Sequence, residues 1–220
     1  MKILHVSCSP RGEDSESYRL SRKIIGFLLE SDPAAELVSR VVGDGSLPHV
    51  DENYAISQQS TVDVSQEGTA YRSAELIDEI RNADVVVIGT PMHNYTVPST
   101  LKAWIDHVVR VRWTFDVGKA GKVSLLPNRP VFVAVSSGGK FSGEGVRQPD
   151  FLTPYLRTIL GMVGLHDVTF FTVQGTAFGP EAVVAARLKT DLALKEHFSS
   201  AAAITERTER SCSLTKSHVK

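Results

Sequence analysis

The chain has 220 residues and 42% apolar side chains, enough to bury one full core. A formal net charge of −1 and a pI near 6.7 exclude the strongly basic surface that nucleic acid or an anionic membrane would call for. Two cysteines, Cys8 and Cys212, are too few for a disulfide framework and fit a reducing compartment. No apolar run is long enough to span a bilayer, and the N-terminus reads as a strand rather than a signal peptide, so a soluble cytoplasmic protein is expected.

Lys2–Ser7 reads as the first strand and is followed by the turn Cys8-Ser9-Pro10-Arg11-Gly12-Glu13-Asp14. Ser15, Glu16 and Ser17 then open a helix that carries Leu20, Ile24, Phe27 and Leu28 along one face. A strand, a polar loop and a helix N-terminus together make an anion site, because free N–H groups and the positive end of the helix dipole meet there. The hydroxyls of Ser9, Ser15 and Ser17 suit phosphate oxygens, although serines in front of a helix equally fit a plain N-cap. Arg11 either adds charge to such a cradle or is an ordinary loop arginine. The glycine spacing of a dinucleotide fingerprint and the lysine of a P-loop are both missing.

Glu36–Val42 reads as a second strand near an edge, and residues 43–66 as a long irregular loop of weak periodicity. A helix from about Thr69 to Asn82 leads to the apolar run Val85–Ile88, a strand covered on both faces. That strand ends at Gly89-Thr90-Pro91. The loop Met92-His93-Asn94-Tyr95-Thr96 follows, and Val97, Leu101, Trp104, Ile105 and Val108 recur at helical spacing behind Pro98. Arg110–Phe115 departs from regular patterning, and Lys119–Lys122 reads as a glycine-containing connector. Pro130–Val135 is a fourth strand ending in Ser136-Ser137-Gly138-Gly139, where the lack of a Cβ lets backbone approach a flat ligand. A helix starting near Thr153 stops at Gly164, Asp167–Val173 is the fifth strand, and a last helix spans about Pro180 to Ser200. Residues 201–220 read as a polar, disordered tail outside a single domain of residues 1–200.

Five strands alternating with helices give an α/β fold with a doubly wound parallel sheet of order 2-1-3-4-5, whose ligand crevice lies at the switch point between strands one and three. The three polar motifs follow strands one, three and four and converge on one crevice.

Pro91-Met92-His93-Asn94-Tyr95, followed by Pro98-Ser99-Thr100-Leu101-Lys102-Ala103-Trp104-Ile105-Asp106, resembles the signature of the FMN-dependent azoreductases, also called FMN-dependent NADH:quinone oxidoreductases, which are flavodoxin-like. The family usually has Tyr in place of His93, Phe in place of Tyr95, and Ser-Arg-Gly-Gly where this chain has Ser136-Ser137-Gly138-Gly139. The resemblance covers about residues 2–200. It implies that Ser9, Arg11, Ser15, Glu16 and Ser17 hold the FMN phosphate, and that Pro91, Met92, His93, Asn94, Tyr95, Ser136, Ser137, Gly138 and Gly139 surround the ring. It further implies a homodimer, with Tyr54 near the partner's flavin and Phe115 stacking in the substrate pocket, though Trp113 and Phe115 equally fit core closure. NADH or NADPH would reduce the flavin, which would then reduce a quinone or azo compound on the same face in ping-pong fashion. His93 is the titratable candidate for proton donation, or it merely fills the tyrosine's place. No metal is expected. An electron-carrier flavodoxin or a flavin-binding scaffold are the competing readings.

Overall fold

The computed structural model describes residues 1–59 and 68–216, with backbone alone for Gln59 and residues 201–216. Part of the Gln58–Gln66 stretch read above as irregular therefore lies outside the described residues. Strands β1 (Lys2–Ser7), β2 (Glu36–Val41), β3 (Val85–Pro91), β6 (Val131–Ser137) and β7 (Val168–Gln174) form one parallel sheet in the order β2-β1-β3-β6-β7, the expected 2-1-3-4-5 topology. Strands β4 (Phe115–Gly118) and β5 (Gly121–Ser124) form a separate antiparallel ribbon.

The side-chain period of two divides the central strands between two cores. Val85 and Val87 of β3 pack with Ile3, Phe132, Ala134, Phe171 and Val173 beneath helix α1 (Glu16–Ser31) and the inward face of helix α6 (Pro180–Lys216). Val86 and Ile88 pack with Leu4, Val6, Val131, Val133 and Val135 beneath α3 (Gly68–Asn82), α4 (Ser99–Val108) and α5 (Leu152–Val163). Burial on both faces is why these strands carry unbroken apolar runs. Gly89 lets β3 lie close under α1, since a Cβ there would stand 2.9 Å from Ser21 Oγ.

Helix starts and stops follow local chemistry. Ser15 caps α1 by accepting from the Tyr18 N–H at 3.2 Å, and Gly164 ends α5 in the left-handed conformation at φ 113°. Where residues 43–66 read as irregular, helix α2 (Glu52–Gln59) forms. Its apolar pattern is weak, but Asp51 caps it through the Tyr54 N–H at 2.9 Å and also accepts from the Thr69 N–H of α3 at 2.9 Å. One aspartate thus satisfies the first turns of two helices. The β4–β5 ribbon replaces the expected connector, with Lys119 and Ala120 at its turn and Gly118 paired to Gly121.

The last helix was expected to end near Ser200; α6 continues to Lys216, and residues 217–220 of the expected tail lie outside the described residues. No glycine or proline follows Pro180 to stop it, and Ala201-Ala202-Ala203 with Glu206, Arg207, Glu209 and Arg210 are strong helix formers. No described helix is long and apolar enough to cross a membrane.

Candidate functional site

The carboxyl ends of β1, β3 and β6 lie side by side, with Ser7 paired to Gly89 and Pro91 to Ser136. Hydrogen bonds carry this alignment into the loops beyond. The Cys8 N–H donates to Gly89 O at 2.8 Å, Thr100 Oγ1 of α4 donates to Cys8 O at 3.1 Å, and the Met92 N–H donates to Ser136 O at 2.8 Å. The three sequence motifs therefore meet along one edge of the sheet.

In the first loop Ser9, Ser15 and Ser17 are all buried, and a single 3-10 turn at Gly12–Asp14 leads into α1. The Gly12 N–H donates to Ser9 O at 3.0 Å and the Arg11 N–H to Ser9 Oγ at 3.2 Å, so Ser9 shapes the turn. Ser15 Oγ donates to Gly12 O at 2.8 Å and lies 3.3 Å from Ser17 Oγ. Gly43 backs this loop, and a Cβ there would stand 2.1 Å from Ser9 O. The result is a compact hydroxyl-lined cradle at the N-terminus of a 16-residue helix. Arg11 is exposed beside it. The Glu16 carboxylate pairs with Arg187 of α6 and with Arg19 at 3.0 Å, so its side chain is turned toward helix α6. Those guanidinium groups, Arg187 first, hold the Glu16 carboxyl below its ordinary range. What Glu16 keeps for an anion is its backbone N–H in the open first turn. Cys8 is fully buried, and burial pushes its thiol up, which suits a packing residue rather than a nucleophile.

After β3 the chain makes a tight turn closed by His93 N–H to Thr96 O at 2.9 Å and Thr96 N–H to His93 O at 3.0 Å. Its two central residues, Asn94 at φ 48° and Tyr95 at φ 68°, are both left-handed. Asparagine tolerates that region, whereas tyrosine there is uncommon and marks a backbone held by its surroundings. Part of the hold is the Phe151 N–H, which donates to Tyr95 O at 3.0 Å. The side chains of His93, Asn94 and Tyr95 are exposed, and Met92 is buried. The amides of Met92 and His93 donate within the protein, and among the described residues no acceptor is found for those of Asn94 and Tyr95 at the turn's tip.

After β6, Ser136 and Ser137 are buried, while Gly138 O and Gly139 O accept from the N–H groups of Ala177 and Gly175, both at 3.2 Å. The space beside Gly139 is taken by Gln148, whose Oε1 lies 2.1 Å from where a Cβ would stand. Gln148, which sequence reasoning passed over, donates from Nε2 to Ser137 Oγ at 3.0 Å and reaches Met92 Sδ at 3.2 Å.

Tyr54 and Phe115 each make contacts of their own within this chain. Tyr54 is buried within its own chain, its hydroxyl donating to Asp106 O at 2.5 Å and its ring edge-on to His107 with centroids 5.9 Å apart. Burial pushes its phenol up to about 12. It anchors α2 to the end of α4. Phe115 begins the β4–β5 ribbon, half-buried, with Lys122 Nζ 5.4 Å from the centre of its ring. No hydrogen bond or ring contact described for it reaches the three loops. Trp113 packs against the core and receives Arg110 on its face at 4.5 Å, so the core-closing alternative holds for that residue.

The flavodoxin-like fold family model matches residues 1–198. The FMN-dependent NADH:quinone oxidoreductase 4 of Pseudomonas fluorescens is 45% identical over 182 residues, 82% of this chain and 87% of that one. The FMN-dependent NADH:quinone oxidoreductase 5 of Burkholderia lata is 42% identical over 185 residues, covering 84% and 90%. Among solved structures, an azoreductase from Bacillus anthracis superposes with a TM-score of 0.75 at 21% identity, over 89% of this chain and 99% of that one. An FMN-dependent NADH-azoreductase of the same species, solved in complex with FMN, gives 0.73 at 22% identity over 90% and 100%. At those identities the structures speak to the fold. The sequence relatives go further: the chain belongs to the flavodoxin-like fold family and, within it, to the group whose curated members are named FMN-dependent NADH:quinone oxidoreductases.

Proposed function

We propose that this protein is an FMN-dependent NAD(P)H:quinone oxidoreductase that also reduces azo compounds. The observation that carries the proposal is the meeting of three loops at the carboxyl ends of β1, β3 and β6, a hydroxyl-lined helix N-terminus at one end and a tight exposed turn at the other. The donor set fits FMN. Ser9, Ser15 and Ser17 with the first-turn N–H groups of α1 suit a phosphate, and Arg11 adds charge. Asn94, with the free amides of Asn94 and Tyr95, suits the carbonyl-rich edge of the ring, and Pro91, His93, Ser136 and Gly138 border it.

When bound, FMN supplies two-electron chemistry, accepting a hydride equivalent from NADH or NADPH and delivering it to the acceptor. The net reaction, quinone + NAD(P)H + H⁺ → hydroquinone + NAD(P)⁺, consumes one proton. His93, exposed on the turn, is the side chain placed to hold that proton on its imidazole and pass it to a hydroquinone oxygen or a hydrazine nitrogen. The polar N–H groups of the Asn94–Tyr95 turn favour negative charge where they point. The left-handed backbone fixes them beforehand, so they need no rearrangement during turnover.

A homodimer belongs to the same proposal. Val117, Val123 and Leu125 stand 66%, 51% and 45% exposed on or beside the β4–β5 ribbon, and a bare two-stranded ribbon is marginal in water. A second copy covering it would bring Phe115 into an acceptor pocket built from both chains. The cytoplasm is the proposed location, in keeping with the unpaired, buried Cys8.

The test is the visible spectrum of the protein reconstituted with FMN under anaerobic conditions. NADH or NADPH should bleach the flavin band and a benzoquinone should restore it. If FMN is not taken up at all, the three-loop site is wrong. Bleaching only by a separate reductase would instead identify an electron carrier.

A further inference from the structure

Gln148 lies in the long connection between β6 and α5, outside every motif that marks the site, yet its side chain touches two of the three loops. Nε2 donates to Ser137 Oγ at 3.0 Å and lies 3.2 Å from Met92 Sδ. A thioether sulfur can only accept, so the NH₂ end of the amide belongs on this side. Oε1 then rests against Gly139, in the space a Cβ would fill at 2.1 Å. No protein donor reaches Oε1 among the described residues. The backbone holds the side chain there: the Arg147 and Gln148 N–H groups both donate to Lys140 O, at 3.0 and 3.3 Å, folding the connection back over the end of β6. Met92 and Ser137 are themselves 8% and 4% exposed, so the amide closes a buried seam between the strands that present the two ring-facing loops.

Gln148 fills the space between these two loops with a neutral amide whose two hydrogens are committed to Ser137 and Met92.

We infer that Gln148 is a positioning residue of the FMN site, locking Met92 against Ser137 and setting a neutral, acceptor-bearing wall beside Gly139. This rests on the flavin-site reading above. Truncating the amide unties the seam and loosens the ring-facing loops while leaving both cores and the phosphate cradle intact. A carboxylate at the same place keeps the shape but adds negative charge beside a cofactor that becomes anionic on reduction.

The experiment titrates FMN into apoprotein by quenching of flavin fluorescence for wild type, Gln148→Ala and Gln148→Glu. It adds the melting temperature of each apoprotein and the two-electron midpoint potential of each reconstituted protein. Gln148→Ala should weaken FMN binding about tenfold while the apoprotein melts as wild type does. Gln148→Glu should hold reduced FMN about tenfold less well relative to oxidised FMN, a potential lower by about 30 mV. The near-isosteric glutamate keeps the test sound should the alanine variant fold poorly. Wild-type affinity in Gln148→Ala together with wild-type potential in Gln148→Glu would overturn the inference while sparing the site. Failure of the wild type to bind FMN would overturn the site, and this inference with it.

Discussion

Gly43 is the position at which one methyl group should do most harm. Built onto it, a Cβ would stand 2.1 Å from Ser9 O, 2.5 Å from Ser9 C and 2.8 Å from Cys8 C. All three are backbone atoms, so no side chain can swing aside. Either β1's loop or the chain leaving β2 must move, and the Gly43 N–H to Ser7 O bond of 3.0 Å and the Gly12 N–H to Ser9 O bond of 3.0 Å are strained together. Overpacking of this kind costs about 1–3 kcal/mol. In a chain of this size each kcal/mol lowers the melting temperature by roughly 2–4 °C, so Gly43→Ala should melt lower by about 4–8 °C for a mid-range cost. Because the displaced atoms shape the phosphate cradle, FMN affinity should fall about tenfold, equivalent to about 1.4 kcal/mol. Gly26→Ala is the matched control. It adds the same methyl within α1 with nothing inside 4 Å, and should gain about 0.5–1 kcal/mol with unchanged FMN binding. The assays are calorimetric melting and a fluorescence titration with FMN. If Gly43→Ala melts and binds like wild type, the cradle does not depend on the close approach of Gly43 to Ser9.

Asn94→Gly should weaken FMN binding with little change in melting, since glycine accepts the φ of 48° that alanine would resist by about 1 kcal/mol; wild-type affinity would strip the Asn94 side chain of its role. Glu16→Gln should bind FMN within about twofold of wild type and lose less than about 1 kcal/mol of stability, because its carboxylate serves Arg187 and Arg19 near the surface. A tenfold tighter titration would instead place that charge against the phosphate. Burial, with a smaller contribution from Arg22, lowers His5 from 6.5 to about 4 where its ring nitrogen meets Ser21 Oγ at 2.8 Å. The unfolded chain binds the proton first, so stability is full above about pH 6.5 and falls as pH drops toward 4, by up to about 3 kcal/mol. His107, also lowered by burial, pulls the same way, whereas the depressed carboxylates act only at lower pH. Melting measured from pH 7 to 4.5 should show the slope, and His5→Gln should flatten it; a level profile in the wild type would refute the assignment.

What the sequence made legible was whatever repeats or clusters locally. Val85–Ile88 declares a strand buried on both faces because every residue is apolar, and Ser15 declares a helix start because the hydroxyl bonds only three residues away. Long-range pairings leave no such trace. Nothing in the sequence pairs Glu16 with Arg187, 171 residues further on, or the Tyr54 hydroxyl with the carbonyl of Asp106. Nor does the turn at Asn94-Tyr95 announce itself, because tyrosine is a poor advertisement for a left-handed backbone that the Phe151 N–H helps to hold.

Gln148 is a further long-range case. Ser137 and Met92 are buried, and a close-packed interior does not leave the space beside them vacant. The side chain that fills it satisfies the serine hydroxyl without bringing a charge that the site could not pair. Periodicity could not say which residue that was, since the answer depends on how residues 140–148 fold back on Lys140 O. A buried hydroxyl at a strand's end is therefore best read as a question about volume and hydrogen bonding. Here the answer is an amide that ties Met92 to Ser137.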